Sequence, residues 1–226
     1  MTQPPPLGRP DAREQLAALA AAAQDRRYTA AYTLKVADRP DRTVTVTLAA
    51  DGSWRVDIPG GALGGTADVS VARTGDGLFQ CALPSGTTPG ASTCSRIGGS
   101  TVRMGAAIDP EVQHPFVDVR SVLTDPGAPL AVSASEPLPG VGGACYSVET
   151  TTASVTAPLD VGIYCYDPDG TLTGARLAYG TLLLAGPPAA PPAAVDLPGP
   201  VTTTPPLGMA TPPPPSPSPS GLDPTP

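Results

Sequence analysis

The side chains with the most reactive chemistry in this chain are four cysteines, Cys81, Cys94, Cys145 and Cys165, and one histidine, His114. Four cysteines allow three pairings, and the local pairs Cys81–Cys94 and Cys145–Cys165 are preferred because each closes a short segment. In the chain-entropy view each bridge of this kind contributes about 3 kcal/mol. A zinc site is the rival reading, but there is no C-x-x-C and His114 lies far from both pairs. Disulfides imply an oxidising compartment. His114 is expected on the polar face of a helix, where Asp118 at i+4 could hydrogen-bond it, and no nucleophile motif accompanies it. The glycine run Gly60-Gly61-Ala62-Leu63-Gly64-Gly65 is followed by neither a lysine nor a helix, so it reads as a connection between strands rather than a phosphate loop. Asp167-Pro168-Asp169-Gly170 lacks the sixth-position glycine and twelfth-position glutamate of an EF-hand and reads as a turn. No G-x-S-x-G, H-E-x-x-H or Walker A signature occurs, so neither catalysis nor a cofactor is expected.

Composition narrows the classes further. The net charge of -7 argues against nucleic acid, which needs a basic face to neutralise phosphates, and against loose adsorption to anionic lipid. Aromatic residues make up 4% of the chain, so the core must rest mainly on Val, Leu, Ile and Ala. Half of the 32 prolines fall in residues 187–226, a tract expected to stay extended and solvated because each proline fixes φ and removes a donor. The start, Met1-Thr2-Gln3-Pro4-Pro5-Pro6, has no basic n-region or apolar h-region, and no segment is long enough to span a bilayer. A disulfide-bonded domain with this start is expected to have a leader upstream, to be exported by another route, or to keep its thiols reduced, and the upstream leader is preferred.

These residues need elements to hold them. Asp11 and Glu14 form the pattern of a capping box, and Leu16, Leu19, Ala20 and Ala23 share a face, which predicts a packing helix over residues 11–27. The period then changes to two over residues 28–34, 43–48 and 54–58. The last two runs form a hairpin that puts Trp54, Val56 and Ile58 on the same side as Val44, Val46 and Leu48, with Arg55 and Asp57 turned away. A second hairpin is expected over residues 67–82, turning at Thr74-Gly75-Asp76-Gly77. Asp109-Pro110 reads as the start of a helix reaching residue 123, with Val112, Phe116, Val119 and Leu123 in one stripe and Glu111, His114 and Asp118 opposite. Strands resume at residues 130–134 and 144–149. A final hairpin runs from residues 162–166 through the 167–170 turn to a long arm over 171–184, and residues 195–201 could add a proline-blunted edge strand.

This order of helix, long meander, helix and second meander resembles the LolA-like (lipoprotein-localisation-factor-like) group of envelope proteins, particularly actinobacterial lipoproteins. The resemblance rests on Tyr28-Thr-Ala-Ala-Tyr-Thr-Leu34, Trp54-Arg-Val-Asp-Ile58, Asp109-Pro-Glu-Val-Gln-His114, Cys145-Tyr-Ser-Val-Glu149 and Gly162-Ile-Tyr-Cys-Tyr-Asp-Pro-Asp-Gly170, and covers residues 11–201. It implies an α+β domain: a curved antiparallel open half-barrel sheet with covering helices, flanked by a disordered segment at 1–10 and a disordered Pro/Ser-rich tail at 202–226. It further implies a cell-envelope or extracellular protein that holds a lipid or other apolar molecule without catalysis. The chain departs from such lipoproteins in having no cysteine before Cys81, so membrane association would need a lipid anchor upstream. An apolar cleft between sheet and helix would be lined by Val44, Val46, Trp54, Val56, Val69 and Val71 from strands and by Phe116 and Val119 from the helix. The same residues could equally fill a core. A protein-interaction or sensory module with no ligand is the alternative on the same scaffold.

Overall fold

The computed structural model describes residues 11–86, 89–152 and 159–211. Helix α1 (Ala12–Asp25) opens with the expected reciprocal capping box between Asp11 and Glu14 and buries Leu16, Ala20 and Ala23. Six strands follow as a meander: β1 (Tyr28–Lys35), β2 (Arg42–Leu48), β3 (Trp54–Ala62), β4 (Ala67–Thr74), β5 (Gly77–Ala82) and β6 (Thr93–Gly98). Two short helices, α2 (His114–Val117) and α3 (Val119–Thr124), lead to a second meander of β7 (Leu130–Ser135), β8 (Ala144–Thr150), β9 (Gly162–Tyr166), β10 (Leu172–Leu177) and β11 (Gly180–Leu184). The meanders join where β1 pairs with β11, Tyr32 opposite Leu184. With β12 (Val201–Thr202) added in parallel to β6, the result is one open sheet of twelve strands, otherwise antiparallel. Such a sheet with helices on one face is compatible with a curved half-barrel.

Alternation decides what each face does. The register sets Val46 opposite Val56 and Leu48 opposite Trp54, so the expected apolar side forms as read. These residues, with Tyr28, Tyr32, Val69 and Val71, pack against Leu16 and Ala20 of α1 and Phe116, Val119 and Leu123 of α2 and α3. Phe116 meets Tyr32 edge-on with ring centroids 4.8 Å apart. Arg13 locks the start of α1 to the far edge, donating to the carbonyls of Ala128 (2.7 Å) and Leu130 (2.6 Å). At the other end of α1 the 167–170 turn seats against the helix backbone. Gly170 has φ +84°, and a Cβ there would lie 2.3 Å from the Ala23 nitrogen, so only glycine fits. Arg26 adds an ion pair to Asp169 at 2.8 Å.

Both disulfides form in the expected local pairing, between residues directly opposite on neighbouring strands: Cys81–Cys94 across β5 and β6, Cys145–Cys165 across β8 and β9. They lie on the outer face, away from the helices. Phe79 and Leu197 surround the first bridge, and Leu138, Val141 and Leu183 the second. The two bridges fit an oxidising, extracytoplasmic compartment. Among the described residues no helix is long and apolar enough to cross a membrane.

Four readings change. The helix expected from Asp109 does not begin there: Glu111 has φ +62° and helical structure starts only at His114. The Asp109 carboxylate instead closes a tight turn by accepting from the Glu111 amide at 2.9 Å. The glycine run is no loose connection, since Pro59 to Ala62 continue β3 through a bulge and only Leu63–Gly65 leaves it as a 3-10 turn. The long arm after residue 171 folds back at Ala178-Tyr179 into two strands, β10 and β11. Finally, the proline-rich tract is no solvated tail up to residue 211. Thr29 pairs with Ala189, the Ala50 amide donates to the Pro192 carbonyl, and Arg55 donates to the Asp196 carbonyl as the chain crosses the outer face of β1 to β3. It covers the first disulfide with Leu197, rounds the sheet edge as β12 and reaches the inner side, where Leu207 packs on the main core. The chain therefore stays attached beyond the expected boundary at 201. The rest of the expected tail and the 1–10 segment lie outside the described residues.

Candidate functional site

The inner face is filled along most of its length. Under α2 it leaves a cavity of about 450 Å³. Its apolar wall comes from Trp54, Val71 and Leu78 on the sheet, Val119 on α3, and Leu159. The loop of residues 99–113 closes one side with Met104 and Ala106. This loop is itself held by the returning strap: the Met209 amide donates to the Ala107 carbonyl at 2.9 Å, and Gln80 Nε2 donates to the carbonyls of Ile108 (2.9 Å) and Leu207 (3.0 Å).

The rim is ionic. His114 stands at the head of α2 between two carboxylates, with Nδ1 2.8 Å from Asp160 and Nε2 3.0 Å from Asp109. Burial opposes charge on the ring, yet the two carboxylates overcome it and raise the imidazole to about 10. His114 is thus an imidazolium near neutral pH, with both N–H groups donating. Asp109 also loses solvation, but the hydrogen bonds from His114, the Glu111 amide and Gln113 Nε2 hold its carboxyl below the usual range. Burial, reinforced by the charge of Asp160, pushes Glu111 up. Asp160 is positioned by Tyr164, whose hydroxyl donates to the Asp160 carbonyl. On the sheet side Arg73 lies over the Trp54 ring, 5.6 Å from its centroid, and donates to the Val102 carbonyl.

This arrangement has the groups to bind and orient a small molecule. It is poorly suited to base catalysis, because both ring nitrogens of His114 are engaged and no serine, threonine, cysteine or lysine is among the described lining residues. Among the described residues there is no cluster of His, Cys, Asp and Glu suited to a metal ion.

Of the eight side chains expected to line a cleft, Trp54, Val71 and Val119 do so. Val44, Val46, Val56 and Val69 are fully buried in the core and are not among the residues that line this cavity, and Phe116 packs on Tyr32. Sequence reasoning missed Asp109, Glu111, Gln113 and Asp160, and placed His114 on a solvated face beside Asp118. Its actual partners are Asp109, five residues before it, and Asp160, which lies 46 residues away and beyond any local signal. Against models of known protein families the chain matches none, and no curated protein matches it significantly.

Proposed function

We propose that this chain is a LolA-like cell-envelope domain that binds, without catalysis, one small lipid-like molecule in the cavity under α2. The observation that carries this reading is a cavity of about 450 Å³ with an apolar wall of Trp54, Val71, Leu78, Val119 and Leu159 and an ionic rim. That size falls within the range of ordinary ligand sites, and the mix of apolar wall and few polar groups is what such sites use. Each methylene buried there contributes about 0.8 kcal/mol, so an eight-carbon chain gives roughly 6 kcal/mol before the costs of binding. The helix-covered open sheet supports the LolA-like reading, and the two disulfides support a place outside the cytoplasm. A free-standing apolar interaction patch has less support. The exposed large hydrophobics among the described residues are Val102, Val161 and Val201, which belong to three different segments.

Nile red titration of the purified chain tests the proposal, since Trp54 is the only tryptophan and lines the cavity. Saturable dye binding at one site with quenching of Trp54 in the unmodified chain, and loss of dye binding when Val71→Trp fills the cavity, is the expected result. Absence of saturable binding to the unmodified chain would overturn the proposal.

A further inference from the structure

The end of the strap is gripped through its backbone. Of the six backbone polar groups of Leu207–Met209, five are hydrogen-bonded to the domain. The buried Gln80 amide holds two, accepting from the Leu207 amide at 2.6 Å and donating to its carbonyl at 3.0 Å. The turn after β3 holds two more: the amides of Leu63 and Gly64 donate to the carbonyls of Gly208 and Met209, each at 2.9 Å. Leu63 keeps φ +50° there, a conformation that costs a leucine energy and persists only where its surroundings impose it. The fifth bond runs from the Met209 amide to the Ala107 carbonyl, in the loop that walls the cavity.

That loop depends on the grip. Arg103, Ala106 and Glu111 are the exposed members of the cavity lining, and all three lie in the loop, so the cavity meets solvent along it. Among the described residues, three hydrogen bonds tie residues 99–108 to the rest of the protein: Arg73 to the Val102 carbonyl, Gln80 to the Ile108 carbonyl, and the Met209 amide to the Ala107 carbonyl. Two of the three come from the strap or from the side chain that grips it. Within residues 99–108 only Met104 packs on the main core.

We propose that Leu207–Met209 is a latch: docked, it holds the 99–108 loop against the cavity, and a ligand enters or leaves when it releases. Segments with few buried apolar contacts and few anchoring bonds are the ones that open locally in a native protein. A gate of this kind acts on rates more than on affinity, because entry and exit need the same opening. The inference rests on the binding role proposed above and adds control of access to it.

Stopped-flow mixing of Nile red with the full chain, read by quenching of Trp54, gives the entry and exit rates. Two variants release the latch by different routes. A chain ending at Pro206 removes it outright. Leu207→Ser/Met209→Pro, in the full-length chain, removes its apolar contact and the amide that holds Ala107. Neither Leu207 nor Met209 lines the cavity. Both rate constants should rise about fivefold or more in each variant that folds by circular dichroism, while Kd moves by less than about threefold. Should neither fold, Leu207→Ala in the full chain serves, with the same direction expected. Rates equal to those of the unmodified chain would overturn the latch and leave the binding role standing. Weaker binding with an unchanged entry rate would overturn it as well, since the strap would then only support the cavity wall. No saturable binding to the unmodified chain would remove the binding role and the latch with it.

Discussion

The two faces of the sheet are closed by different means. The inner face is covered by helices chiefly through apolar packing: Leu16, Ala20, Phe116, Val119 and Leu123 meet a wall of strand residues. The outer face is covered by two disulfides and a proline-rich strap held chiefly by backbone hydrogen bonds, among them Ala50 to Pro192, Asp51 to Ala193 and Cys94 to Pro200. Packing is dense and cooperative, so a lost side chain leaves a void. A hydrogen-bonded strap exchanges its bonds with water, so its net contribution per bond is small. The inner cover should therefore dominate stability, while the outer one sets position, in particular that of the loop lining the cavity.

The comparison breaks first at Phe116. Phe116→Ala removes a side chain 2% exposed and should cost about 3–5 kcal/mol, read as a shift in the urea midpoint with unchanged slope. A loss under about 1 kcal/mol would mean the inner face is not the main source of stability.

A smaller effect belongs to the ionic rim. Folding raises His114 from 6.5 to about 10, so the native state keeps a proton that the unfolded chain releases. The stabilisation is complete below pH 6.5 and is lost as pH climbs through about 10. The Tm of the unmodified chain should fall across that window, and His114→Gln should flatten the curve there while lowering stability at pH 6 by roughly 2 kcal/mol. The same slope in the variant would show that the imidazolium is not clamped.

The smallest loss is expected for the strap. A chain ending at Pro198 loses the pairing of Val201 with Cys94 and leaves Gln80, 1% exposed, without Leu207 as partner. It should lose roughly 1–2 kcal/mol, mostly through Gln80. Hydrogen exchange should quicken at the Cys94, Leu63 and Gly64 amides, which donate to Pro200, Gly208 and Met209. Unchanged exchange at all three would sink the idea that the strap docks.

Particular residues show why some of this was legible in the sequence and some was not. Period-two alternation gave β2 and β3 with their register, because one buried face forbids slippage by one residue. The capping box gave α1, and spacing gave the cysteine pairs, since cross-strand neighbours in a meander are near in sequence. Asp109-Pro110 misled because an aspartate before a proline caps a tight turn as readily as a helix. The proline tract misled for another reason: proline lacks a donor but keeps its carbonyl, and Pro192 and Pro200 accept from Ala50 and Cys94. The site was least legible, because Asp160 reaches His114 and Asp109 only through the tertiary fold.

Pairing of β1 with β11 has a consequence for how the chain is made. Tyr32 finds Leu184 only after some 150 intervening residues exist, so the first meander leaves the ribosome or export pore with an unfilled edge along β1. Until the last hairpin arrives, that edge is open to any other extended strand, in its own copy or a neighbour's. Completion is thus a late zippering event, and a nascent chain stalled before residue 180 should be held by chaperones rather than released folded.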